Sequence, residues 1–205
     1  ASDVYKRQNY LCIPNKYREK MQYITHFYMD IGYKNDYVGV MYLEYEGVKV
    51  YFIDNEYYFN GPTPYGDVKW DIEKFCYFSK AALSILPSIG FQPDIIHCHD
   101  WQAGLVPVYL KTLFAGDLFY TSMKSVMTIH NLQFQGKWDI KTIQEYSGLP
   151  DYVFTPDKLE VQKDAAMLKG GLVYADKITT VSNTYAKEIQ TPYYGAVSYT
   201  HLTLP

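Results

Sequence analysis

The run His97-Cys98-His99-Asp100-Trp101 puts two imidazoles, a thiol and a carboxylate into five consecutive residues. The apolar pair Ile95-Ile96 precedes it and a mostly apolar stretch of helical length follows, so it reads as a strand exit opening a helix. A strand alternates its side chains, which puts His97 and His99 on one face and Cys98 on the other. Asp100 is expected to cap the following helix, whose first N–H groups favour an acceptor. The histidines then either pack with their polar atoms satisfied, or bind. A metal is one option, since His-x-His with a nearby Asp can ligate zinc if His130 arrives as a further ligand. A second cluster, Thr128-Ile129-His130-Asn131-Leu132, also closes an apolar run. Its histidine and asparagine offer donors and acceptors suited to sugar hydroxyls, or the histidine serves only a loop carbonyl. A third, Leu168-Lys169-Gly170-Gly171, sets two glycines within a helical pattern. Each costs ~1 kcal/mol there relative to alanine, so close backbone packing, or a ligand, is expected at that point. The lysine precedes the glycines, and neither GxxxxGK[ST] nor GxGxxG occurs, so phosphate loops of those kinds are excluded.

The elements that must position these groups follow from periodicity. Residues 9–14 form a short apolar run ending at Pro14, the end of a buried strand. Residues 37–45 and 48–53 are rich in Val, Tyr and Phe, and Glu46-Gly47 between them suits a hairpin turn. Residues 60–67 carry two prolines and two glycines and form a loop. A helix is expected over 71–86, stopped by Pro87, then a strand at 94–98 and a helix over 101–114 with Pro107 a point of kinking. Strands follow at 125–129 and 177–181, separated by a long helical stretch over 159–174, and Ser182 is the N-cap of a last helix to 189. This alternation specifies an α/β fold, a Rossmann-like parallel sheet with helices on both faces and an added β-hairpin region. Ligands of such sheets sit beyond the carboxyl ends of the strands, which selects 97–101, 130–133 and Ser182-Asn183.

Composition excludes several classes. The 205 residues suffice for one domain with a core, and 48% hydrophobic against 20% charged residues is the profile of an ordered globular chain. The net charge of −3 contains no basic run, so neither nucleic acid nor an anionic membrane is an expected partner. No apolar stretch approaches the ~20 residues that span a bilayer, and residues 1–8 lack an apolar signal core. Cys12, Cys76 and Cys98 are odd in number and far apart, as in reduced cytoplasmic proteins. The 23 tyrosines suit half-buried strands and sugar clefts, although coding bias is the preferred account of them.

In these same residues the chain resembles the bacterial glycogen and plant starch synthases, glycosyltransferase family 5. His97 to Leu105 with Pro107 and Tyr109-Leu110 is similar to their HxHDWxxGLxPxYL signature. Thr128 to Leu132 with Gln135-Gly136 is similar to T[VI]HNLxxQG, and Leu168 to Ile189 to LKxGxxYADxITTVSxTYAxEI. The resemblance implies the N-terminal half of a GT-B fold and retaining transfer of glucose from ADP-glucose to an α-1,4-glucan, without a metal or other cofactor. It implies catalytic roles for His130, against the transferred glucose, and Asp100, at the cleft floor. Asn131, Trp101, Tyr65 and His99 would bind substrate, the aromatic rings against sugar C–H faces. The family's KTGGL loop and C-terminal, donor-holding domain have no counterpart in these residues. Residues 9–196 are therefore expected to be an incomplete acceptor-side domain, inactive by itself, with 1–8 and 197–205 as non-native ends. Departing diphosphate would need cationic or N–H partners from the missing domain.

Overall fold

The computed structural model describes residues 13–191. The expected ends at 1–8 and 197–205, most of the strand expected at 9–14, and Cys12 lie outside the described residues. After a single helical turn, α1 (Asn15–Arg18), an antiparallel meander forms from β1 (Gln22–Ile31), β2 (Lys34–Tyr45) and β3 (Val48–Asp54). The β2–β3 turn is Glu46-Gly47, both at positive φ (51° and 78°), the conformation that matches the twist of a two-residue hairpin. Strand β1 was not expected. Its Phe27, Met29 and Ile31 alternate inward, but only Met29 and Ile31 are buried, and polar and aromatic neighbours mask the period.

A helical turn, α2 (Glu56–Phe59), and a loop lead to the long helix α3 (Val68–Ser88). Asp67 caps it, accepting from Trp70 N at 3.1 Å. The helix thus starts three residues before the apolar stripe that predicted it, and Pro87 lies within its last turn rather than stopping it. Ile72, Cys76, Tyr77 and Leu83 are fully covered and join one core with Val38 and Val40 of β2 and Leu105 and Tyr109 beyond. Asp71 and Lys74, nearly buried, pair at 2.7 Å. The Asp71 carboxylate also accepts from Gly66 N (3.0 Å), and Lys74 Nζ donates to Pro64 O (2.7 Å). Both groups pin the loop that carries Tyr65.

The parallel sheet has β4 (Ile95–His99), β5 (Lys124–Ile129) and β9 (Lys177–Thr180) in the order β4-β5-β9. At its N-terminal end Asp176 accepts from Ser125 N (2.8 Å) and Lys111 Nζ (3.1 Å). The helix expected over 101–114 is instead a 3₁₀ turn (Trp101–Ala103) and a seven-residue helix, α4 (Leu105–Lys111). Pro107 falls in the first turn of α4, where a missing N–H breaks no bond, so nothing kinks. The long helix expected over 159–174 is also corrected. Strands β7 (Glu160–Val161) and β8 (Asp164–Ala166) occupy its first half, joined by Gln162 and Lys163 at positive φ, and β8 pairs with β6 (Lys137–Asp139). The Ala-Ala-Met-Leu composition favours helix locally, and pairing with β6 overrides it. Helix α5 (Ile140–Ser147) precedes that hairpin, and α6 (Met167–Tyr174) and α7 (Asn183–Glu188, capped by Ser182) flank β9.

The two helix glycines do serve close packing. A Cβ on Gly171 would stand 2.9 Å from Gly104 O, and one on Gly170 would stand 2.9 Å from the Leu159 side chain. A Cβ on Gly104 would meet Met167 O at 2.3 Å. The preceding lysine is 6% exposed, and its Nζ donates to Pro156 O and Glu160 O, both at 2.6 Å. Burial pushes its amine below the ordinary lysine value.

Gly104→Ala should therefore destabilise the chain by about 3 kcal/mol or more, because backbone and not a pliant side chain blocks the methyl. Lys169→Met, which takes a buried charged donor away from two part-buried carbonyls, should cost about 1–2 kcal/mol. Urea unfolding of the two variants against the parent chain measures both.

Candidate active site

The exits of β4 and β5 meet through one carboxylate. Asp100 N donates to Thr128 O at 3.0 Å, continuing the β4–β5 ladder one residue past the strand. Its backbone then takes φ 54° and ψ −171°, a conformation that L side chains adopt at a cost of about 1–3 kcal/mol. The expected cap is not made, since the side chain accepts nothing from the 101–103 turn. Instead Oδ1 accepts from His130 N at 2.7 Å and from Asn131 N at 3.3 Å. A charged acceptor on two backbone donors is a stronger tie than a neutral pair. It fixes where the second cluster begins.

The side chains follow from that tie and from strand alternation. His97 and His99 share a face, with ring centroids 4.3 Å apart, and Cys98 is buried behind them at 2% exposure. Burial pushes the Cys98 thiol up to about 12, so it stays protonated and inert in the core. His99 Nδ1 and His130 Nε2 are 3.0 Å apart, in direct hydrogen-bond contact. His97 Nε2 meets Thr128 Oγ1 at 2.6 Å, and that hydroxyl meets Thr179 Oγ1 of β9 at 2.6 Å. The zinc option thus meets a closed pair of imidazoles, and among the described residues no group of three or more His, Cys, Asp or Glu is arranged to hold a metal ion. Asn131 Oδ1 accepts from Gln133 N (3.0 Å), and Tyr185 OH accepts from Leu132 N (2.9 Å), so the loop after β5 is gripped from both ends.

The two aromatic residues part company. Trp101 is 8% exposed, meets Phe75 edge-on at 5.0 Å, and presses on Gly136, where a Cβ would lie 2.2 Å from its ring. It is a wall behind the site and offers no face to a sugar, which corrects its expected place as a binding platform. Gly136 can lie there because it has no Cβ and takes φ 58°. Tyr65 is exposed and its hydroxyl accepts from Gln102 Nε2 at 3.1 Å. Tyr65, His99, Asp100 and Gln102 line one cleft of 610 Å³, with Phe75 and Phe78 on its apolar side. Gln102 was not singled out from sequence. The signal was its place one residue after Trp101, on the turn that opens at the β4 exit. What the cleft offers is an apolar wall, an exposed phenol ring, an amide, a carboxylate and the His99 imidazole, whose Nδ1 meets His130 just beside it. That set can hold a polyol by its hydroxyls and its C–H faces.

His99 sits below the ordinary histidine value because of burial first, then the neighbouring imidazoles of His97 and His130, with Asp100 opposing. An unfolded chain takes up a proton near pH ~6.5, while folded His99 takes it up only at lower pH. Its contribution to stability is therefore complete above the ordinary value and lost as pH falls through the folded one. The melting temperature should fall between about pH 7.5 and about 5.5, and His99→Asn should flatten part of that slope. Asp100→Ala should free the second cluster. Losing a charged acceptor worth about 1.5–3 kcal/mol should speed amide hydrogen exchange at His130 and Asn131 by about 10- to 100-fold.

The starch synthase catalytic domain family matches this chain over residues 7–203. The glycogen synthase of Lachnospira eligens is 62% identical over 186 residues, 91% of this chain and 39% of that protein. That of Lachnoclostridium phytofermentans is 57% identical over 187 residues, again 91% of this chain and 39% of that protein. Among solved structures, the catalytic domain of starch synthase IV from Arabidopsis thaliana, bound to ADP and acarbose, superposes with a TM-score of 0.79 at 30% identity, over 86% of this chain and 37% of that one. The chain thus spans about two fifths of the length of the curated relatives it matches. The fold carries over to that solved relative, and the match over nearly the whole length shows that this chain belongs to the starch synthase catalytic domain family.

Proposed function

We propose that this chain is the acceptor-side part of a glycogen synthase that transfers glucose from ADP-glucose to the 4-OH end of an α-1,4-glucan with retention. The observation that carries the reading is the Asp100 tie. It brings the β4 exit and His130 to one rim of one sheet, beside a cleft with an apolar wall and the exposed Tyr65. Support for the donor and the glucan comes from the glycogen synthase relatives and from the starch synthase bound to ADP and acarbose.

In this reading His130 hydrogen-bonds the glucosyl unit in flight, Asp100 holds the loop that presents it, and Asn131 and His99 stand beside the sugar. Tyr65 and Gln102 steady the acceptor chain. The physical task is to stabilise positive charge on the glucosyl carbon as ADP leaves, with acceptor and donor in line and water kept out. The apolar wall formed by Phe75 and Phe78 serves the last requirement. Cations for the departing diphosphate would come from the part of the protein that the relatives have and this match does not span. No metal or other cofactor enters the scheme. The two described cysteines, Cys76 and Cys98, are buried free thiols, which supports a reducing, cytoplasmic setting. No described helix is long and apolar enough to cross a membrane.

The test is a chimaera in which residues 13–191 replace their counterpart in the Lachnospira eligens enzyme. It should extend glycogen from ADP-glucose, and His130→Ala should lower kcat by about 10²–10³-fold, as when a group acting on the transition state is removed. An inactive chimaera that still sediments with glycogen would favour the alternative, a glucan-binding module without catalysis.

A further inference from the structure

The Asp100 tie fixes the backbone of His130 but leaves its ring free to turn about χ2. An exposed imidazole has two such orientations, exchanging its nitrogens with its ring carbons, and each presents different atoms to a ligand. One contact selects between them. His99 Nδ1 lies 3.0 Å from His130 Nε2, with the rings inclined at 48° and centroids 5.2 Å apart. His99 is in turn held. Its ring packs on that of His97 at 4.3 Å, and His97 is tied through Nε2 to Thr128 Oγ1, which meets Thr179 Oγ1. The series runs ring to ring to hydroxyl to hydroxyl across β4, β5 and β9.

We propose that His99 is a positioning residue rather than a sugar ligand: by engaging the Nε2 of the exposed His130 ring it leaves Nδ1, on the side of that ring away from His99, as the atom offered to a sugar hydroxyl. For the identity of that sugar the inference rests on the function proposed above. A single N–H···N bridge also links the two tautomers. When the bridging proton sits on His99 Nδ1, the neutral His130 carries its own proton on Nδ1 and donates. When it sits on His130 Nε2, His130 Nδ1 accepts. One further proton can be shared by the pair without breaking the bridge, whereas a second would oppose two cations at 3.0 Å. The groups facing the pair are His97 from β4 and Asp100 at its exit, with Tyr65 and Lys74 lining the same cleft as His99.

The experiment needs no substrate, so its failure is distinct from failure of the transferase reading. The ¹⁵N-histidine-labelled 205-residue chain is compared with His99→Phe, which keeps a ring in place but has no nitrogen, and with His99→Asn, whose amide puts a polar atom near the position of Nδ1. In the parent, a scalar coupling across the His99–His130 bridge and a two-step titration shared by the two rings are expected. In His99→Phe, the tautomer ratio of His130 should relax to that of free imidazole, and the two-step behaviour shared by the pair should be lost. His99→Asn should restore the parent tautomer with a single step. Absence of the coupling in the parent, or an unchanged His130 tautomer and titration in His99→Phe, would overturn the proposal.

Discussion

Everything at this site hangs on one oxygen, Oδ1 of Asp100, which receives two backbone N–H groups from the start of the neighbouring loop. The aspartate is set at the point where β4 ends and the chain reverses, in a backbone conformation that few residue types tolerate. That region is otherwise close to glycine's own, so the strain is held in place by the contacts around it. Had the carboxylate served the turn it precedes, as helix-start chemistry leads one to expect, the loop after β5 would have lost this tether. The local rule was broken because a longer-range acceptor role competed for the same group. From the position of this one residue the others follow: His99 stands just before it on the open face, and Trp101 just after it turns into the core.

Much of this was legible in the residues themselves. The alternation of β4 correctly separated His97 and His99 from Cys98, and the glycine pair in α6 correctly announced a close approach, which turns out to be to Gly104 and Leu159. The parallel strands and the β2–β3 hairpin were plain from apolar runs and a Glu-Gly turn. What was hidden depended on partners distant in sequence. The hairpin of β7 and β8 exists because β6 is there to pair with it, and nothing within 159–166 announces a strand. Trp101 reads as an aromatic beside a cleft, and only the approach of Gly136, 35 positions later, shows that its ring is covered. The imidazole contact between His99 and His130 is likewise a product of strand register, with His99 opposite Thr128.

The architecture divides its labour by depth. Ionic and amide ties sit at the two ends of the parallel sheet, Asp176 at one and Asp100 at the other, the His97–Thr128–Thr179 series crosses its strands, and an apolar core packs behind. Directional bonds thus place the polar groups, and the apolar mass behind them resists displacement. Among the described members of this core, Tyr77, Tyr109 and Tyr120 keep their hydroxyls satisfied by backbone carbonyls. The abundance of tyrosine in this chain therefore includes a structural share as well as an exposed one.

The segment bearing Tyr65 is fastened to α3 through Asp71 and Lys74. It is linked to the turn after β4 by the amide of Gln102 on the phenol oxygen. Breadth at the mouth and chemistry at the floor are consequently separable in this design. Insertions or exchanges between Asn60 and Asp67 can reshape the opening of the cleft, while the imidazoles and the carboxylate beneath keep their spacing.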